Sequence, residues 1–217
     1  PAEFAMYNGS EETAVEEKKP GFITLMKNIP STMLQLGVTQ FFSWAALFLM
    51  WNYLKPLITS SFIGAAGTMV NTGAAETWTG VLNAVYPVPA CIASIFMTQI
   101  ANRFGNKPVY AACLLSGALG YLGLTLIDNQ YLMMIPMVFI GIAWAGILAM
   151  PYSILSRAID ARSSGAYMGI FNFTITIPQI VMGLVGGSIV LAVKNAILSG
   201  SDYAALSAVE KVTVDSQ

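Results

Sequence analysis

The chain has 217 residues, 56% of them hydrophobic and only 10% charged, with a formal net charge of −1. A soluble domain carries roughly 25% charged residues and a disordered one pairs low hydrophobicity with high net charge, so both classes are excluded and an integral membrane protein is indicated. Histidine is absent, and Cys91 and Cys113 both stand in apolar surroundings, which excludes a zinc cluster or disulfide framework; the near-zero charge offers nothing to nucleic acid.

In chain order, residues 1–27 come first as a charged lead-in, with Glu11, Glu12, Glu16, Glu17, Lys18 and Lys19 close together. That stretch reads as a cytoplasmic linker without a fold of its own. Phe22–Ile29 at its end is either a short amphipathic segment on the membrane surface or an ordinary lead-in to the first span. Residues 28–193 then form the membrane region. The charged residues gather in short clusters, leaving uncharged stretches at Asn28–Leu54, Thr77–Asn102, Pro108–Ile127, Asn129–Ser156 and Ser163–Val193. Each is near or above the roughly 20 residues that carry a helix across a bilayer. Continuous apolar runs without period-2 alternation predict helices rather than barrel strands. The expected fold is therefore all-α, with five spans at about Met33–Leu54, Trp78–Ile100, Val109–Ile127, Leu132–Tyr152 and Ala166–Val193. Pro56–Ala75, uncharged but rich in Gly, Ser, Thr and Ala, is expected to be an extramembrane loop. Residues 194–217 read as a polar tail.

Lys/Arg bias sets the orientation. A cytoplasmic N-terminus puts Lys18, Lys19, Lys27, Arg103, Lys107, Arg157 and Arg162 inside and only Lys55, Lys194 and Lys211 outside. The expected location is the plasma membrane, or the inner membrane of a bacterium.

Small residues recur every four positions at Gly141, Ala145, Ala149 and Ser153, and again at Ala112, Ser116 and Gly120, with a Gly165–Gly169 pair entering the fifth span. That spacing lets helix backbones approach closely where lipid gives no hydrophobic drive. Pro87, Pro89, Pro136, Pro151 and Pro178 each remove a backbone donor and free a carbonyl a turn earlier. Broken helices of this kind are frequent near the midplane sites of transporters.

Polar side chains at membrane depth single out candidate site residues. At 100° per residue, Gln40, Trp44 and Trp51 share one face of the first span, and Asn172, Thr176 and Gln179 share one of the fifth. Asn83 and Tyr86 stand on the second and Trp144 on the fourth. Rings beside amides and hydroxyls suit a polyhydroxylated ligand, stacking on its C–H faces and exchanging hydrogen bonds with its hydroxyls. The competing reading is interhelical hydrogen bonding with aromatic residues at the interface. No Asp, Glu, Lys, Arg or His lies well inside a span, so any ion coupling belongs elsewhere. No nucleophile–base pair, metal cluster or phosphate loop can be assembled, so neither an enzyme nor a cofactor is expected.

Several motifs together resemble a known family. Ala101-Asn-Arg-Phe-Gly-Asn-Lys107 is similar to the D-R-x-G-R/K loop of the major facilitator superfamily, with Asn102 where the family's Asp stands, Asn106 where an Arg is common, Arg103 and Gly105 matching, and Lys107 next in the loop. Gln40-Phe-Phe-Ser-Trp44 with Met50-Trp51, Gly141 through Tyr152, and Tyr167-Met-Gly-Ile-Phe-Asn-Phe173 with Ile177-Pro-Gln179 resemble the C-terminal half of sucrose-transporter-like, glycoside–pentoside–hexuronide sugar:cation symporters. The resemblance implies that the five spans are helices seven to eleven of twelve. It implies a sugar substrate, a disaccharide or glycoside, coupled to a proton or another cation. It also implies alternating access with an N-terminal six-helix half that carries the coupling acid. Since Lys194–Gln217 offers no twelfth apolar run, the chain reads as a fragment or a truncated gene product. The alternative is a non-transporting membrane scaffold that binds partner helices through its small-residue faces.

Overall fold

In the computed structural model, residues 22–66, 72–127, 129, 131–160 and 163–198 are described. The expected linker up to residue 21 and the expected tail from residue 199 lie outside them. Among the described residues every regular element is a helix: α1 (Phe22–Lys27), α2 (Ser31–Ala66), α3 (Thr72–Val85), α4 (Pro87–Phe104), α5 (Asn106–Leu126), α6 (Met134–Leu155), α7 (Ser164–Phe171) and α8 (Phe173–Leu198). They supply five segments long and apolar enough to cross a membrane: Ser31–Ile58, Ala75–Phe104, Asn106–Leu126, Met134–Leu155 and Ser164–Val193.

One expectation is corrected. The segment expected to be a loop from Pro56 is helical to Ala66, and helix resumes at Thr72. Pro56 lies within α2; its ring removes one amide, which leaves only the Asn52 carbonyl short of an intrahelical donor. The helix continues past that single defect.

The proline-rich spans break where the chemistry requires it. Pro87 opens α4 with Tyr86 as the joint between α3 and α4, because a proline at the first helical position gives up an N–H that has no partner there in any case. Pro136 sits in the first turn of α6 for the same reason. Gly105 turns the chain between α4 and α5 at φ +89°, a conformation only glycine takes easily, and its N–H closes α4 on the Ala101 carbonyl at 2.8 Å.

α6 is the centre of the bundle and the most buried of the spans, whereas Ser164–Val193 is the most exposed. α5 and α6 pack antiparallel at very short range: Gly120 faces Ile140 and Pro136, and Gly146 faces Cys113, leaving no room for a Cβ at either glycine. The small residues expected to mediate helix approach are thus partly consumed within the chain, while Gly165 and Gly169 have nothing within 4 Å.

Hydrogen bonds identify the two ends of the bundle. At one end Tyr167 donates to the Asn28 carbonyl (3.1 Å) and Asn106 donates to the Ser153 hydroxyl (2.7 Å). At the other, Lys55 of α2 pairs with Glu76 of α3 (2.5 Å), and Trp78 meets Tyr131 edge-on at 5.4 Å. Lys27, Arg103, Lys107 and Arg157 therefore share the first end.

Candidate functional site

Three aromatic rings converge on Trp144, midway along α6. Trp44 and Trp51 of α2 each lie 5.5 Å from it, at interplanar angles of 74° and 77°, and Tyr86 of the α3–α4 joint lies at 6.3 Å and 90°. Edge-to-face pairs at these separations are the favoured aromatic geometry. The Trp51 indole N–H donates to the Tyr86 hydroxyl at 3.2 Å, so α2 is joined to the α3–α4 break by a polar contact as well. Tyr86 reaches this position because α6 carries Gly141, where a Cβ would run into the Tyr86 carbonyl and the Pro89 ring.

The cluster is neutral. Among the described residues no group of His, Cys, Asp or Glu could hold a metal ion, and the Lys55–Glu76 pair sits at the end of the bundle, exposed. Among the described residues two buried side-chain polar atoms carry no hydrogen-bond partner, the Trp44 indole nitrogen and the Tyr121 hydroxyl. A buried donor without an acceptor is costly, and Trp44 is one of the rings packed on Trp144.

Gln40, one turn before Trp44, is fully buried, and its amide is engaged on both sides. Its N–H group donates to the Ile147 carbonyl of α6 (3.3 Å), and its carbonyl oxygen accepts from the Tyr110 hydroxyl of α5 (3.1 Å). Pro151 explains the first bond: lacking an N–H, it leaves the carbonyl four residues earlier, that of Ile147, without a helical donor. Gln40 thus ties three helices together and holds the face from which Trp44 projects. Tyr110 was not singled out by the sequence, where one hydroxyl in an apolar run gives no signal. Ile147 was foreshadowed only by Pro151 four residues on.

The fifth-span residues form a second group. The Tyr152 hydroxyl of α6 donates to the Asn172 side-chain oxygen at the joint between α7 and α8, and Tyr152 lies edge-on to Phe171 at 5.5 Å. Thr176 donates weakly back to the Asn172 carbonyl (3.5 Å). Asn172 and Thr176 are exposed and Gln179 is half-buried. Since α6 and α8 run in opposite directions, stepping seven residues along α8 from Asn172 and eight back along α6 from Tyr152 brings Gln179 and Trp144 to one depth, each step being 1.5 Å. The Tyr152–Asn172 pair therefore stands about 12 Å from the rings along the bundle axis. Asn83 is half-buried one turn before Tyr86.

Around the α4–α5 turn, Asn102 and Arg103 in the last turn of α4, Gly105 between the helices and Lys107 in the first turn of α5 are all exposed, and the Arg103 guanidinium rests 5.4 Å from the Phe104 ring centre. The residue that anchors the turn is Asn106, buried against Ser153 of α6.

A neutral helical bundle with five membrane-crossing segments, two interrupted spans and an aromatic cluster at mid-depth defines a multi-pass membrane protein. Residues 35–196 match the model of the Major Facilitator Superfamily, and the chain belongs to that superfamily, whose members are membrane transporters rather than enzymes. Comparison with curated proteins and with solved structures gives no match.

Proposed function

We propose that the chain is the C-terminal half of a sucrose-transporter-like sugar:cation symporter, its spans being helices seven to eleven of twelve and its N-terminus cytoplasmic in the plasma membrane. The observation that carries this reading is the convergence of Trp44, Trp51 and Tyr86 on Trp144 at the α3–α4 break. A sugar offers apolar C–H faces and a rim of hydroxyls. The rings take the faces; the Trp44 N–H, which has no acceptor among the described residues, takes a hydroxyl oxygen.

In this mechanism Trp44, Tyr86 and Trp144, with Asn83 near the joint and Gln179 at the same depth on α8, contact the sugar. Gln40 fixes the α2 face through Ile147 and Tyr110. Asn172 and Thr176 extend the polar path along α8. The described spans hold no interior charge, so the coupling acid, for a proton or another cation, belongs to the N-terminal half. The two halves then rock about the midplane site, ion binding in one biasing which face is open. The α4–α5 turn, with Arg103 and Lys107 exposed and Asn106 docked on α6, moves with this half.

Counterflow in proteoliposomes containing the whole transporter tests the proposal. Preloaded disaccharide or glycoside should drive saturable uptake of the labelled sugar, and an imposed cation gradient should drive net uptake. Failure of a broad panel of glycosides to produce counterflow would overturn it. Gly117, Gly120 and Gly146 already pack across the α5–α6 contact, so they are not free for the partner helices that the scaffold alternative requires.

A further inference from the structure

Where α2 and α5 begin, a groove of about 250 Å³ runs between them over Ile154 of α6. Its wall changes character along its length. Thr32 and Gln35 of α2 and Lys107 of α5 make one part polar and cationic, and Leu36 and Leu114 make the rest apolar. Lys107 is exposed and has no ion-pair partner among the described residues. Below the groove, α5 keeps an apolar face turned outward, with Leu115 66%, Leu119 59% and Leu122 58% exposed.

The surroundings favour an anion. Lys27, Arg103 and Arg157 are exposed at the same end, where Asp160 is the one acid among the described residues. A phosphate on Lys107 would gain a charge-assisted hydrogen bond. Basic pockets between membrane helices suit acidic lipid headgroups. The apolar half of the groove, continuous with the leucine face, distinguishes a lipid from a free anion, which would leave that half wet.

We propose that this groove binds one anionic phospholipid. Its phosphate rests on Lys107 with Thr32 and Gln35 beside it, and its acyl chain lies along Leu114 and the outward face of α5. The site lies one helix end away from the aromatic cluster, so it stands independently of which solute is transported.

The test is photocrosslinking in nanodiscs carrying the full chain, with phosphatidylglycerol or phosphatidylcholine bearing a carbene precursor near the top of the acyl chain. Crosslinked peptides are mapped by mass spectrometry. Label from phosphatidylglycerol should fall on residues 111–122 several-fold above that from phosphatidylcholine. Lys107→Gln should lower it about fivefold, since one basic residue at a membrane surface contributes ~1 kcal/mol. Lys107→Arg should retain it, and Arg157→Gln, outside the groove, should leave it unchanged. Equal labelling by the two lipids, or labelling indifferent to Lys107→Gln, would overturn the site. Displacement of the label by excess inorganic phosphate would overturn the lipid assignment in favour of a soluble anion.

Discussion

Gln40 donates its side-chain amide across 3.3 Å to the Ile147 carbonyl, the carbonyl that Pro151 leaves without a helical donor. A defect in α6 is thereby satisfied from α2, and the Tyr110 hydroxyl of α5 completes the set at 3.1 Å. Inside a bilayer a broken helix persists only where a neighbour supplies the missing partner. This one does so beside the aromatic cluster.

A double-mutant cycle measures that relationship. Gln40→Leu strands both the Ile147 carbonyl and the Tyr110 hydroxyl and should cost about 1–3 kcal/mol in detergent unfolding. With Pro151→Ala, the alanine N–H satisfies the carbonyl itself, so Gln40→Leu should cost less by about 1 kcal/mol. Strictly additive losses would mean that the bond is incidental.

Gly141 offers a packing test. A methyl group there meets the Tyr86 carbonyl and the Pro89 ring, so Gly141→Ala should destabilise by about 1–3 kcal/mol, as overpacking usually does. It should also disturb the Tyr86–Trp144 contact. Gly165→Ala meets nothing within 4 Å and should unfold like the unmodified protein, or slightly higher given the helix preference of alanine. Equal effects of the two would contradict the close approach of α6 to the α3–α4 joint.

The sidedness of the two bundle ends can be read by labelling. In a background lacking Cys91 and Cys113, a cysteine at Asn102 should react with an impermeant reagent only from the cytoplasm, and one at Asn129 only from outside. Both positions are exposed. Asn106 is a poor site for the same purpose, since it is buried against Ser153. Reversed labelling would invert the proposed orientation.

Sequence and structure agree most closely where one chemical property decides the outcome. Five apolar stretches of sufficient length become five candidate spans, because a bilayer-sized uncharged run has few other stable forms. Pro87 marks the α3–α4 joint for an equally local reason. The stretch from Pro56 misleads because the loop reading rests on its Gly, Ser, Thr and Ala content, whereas α2 absorbs one missing amide at Pro56 and continues to Ala66. The environment of Gln40 is out of reach for another reason. Its partners, Ile147 and Tyr110, lie 107 and 70 residues away in sequence, and one of them is a backbone atom that no side-chain pattern displays. The ring cluster is half legible: helical spacing aligns Trp44 with Trp51, but only the packing of α6 shows that Trp144 and Tyr86 meet them.

The central claim is that the rings around Trp144 bind a sugar, and its most direct measurement is calorimetric sugar affinity of the whole transporter in detergent, with folded protein matched between variants. Trp44→Ala and Trp144→Ala each remove ring contact, and Gln179→Ala removes hydrogen-bonding capacity worth ~0.5–1.5 kcal/mol. Each should weaken binding about three- to tenfold, 1.4 kcal/mol being a factor of ten. Phe139→Ala, on an exposed part of α6, should leave affinity within twofold. Unchanged affinity in Trp44→Ala and Trp144→Ala alike would contradict the account and return the cluster to packing alone.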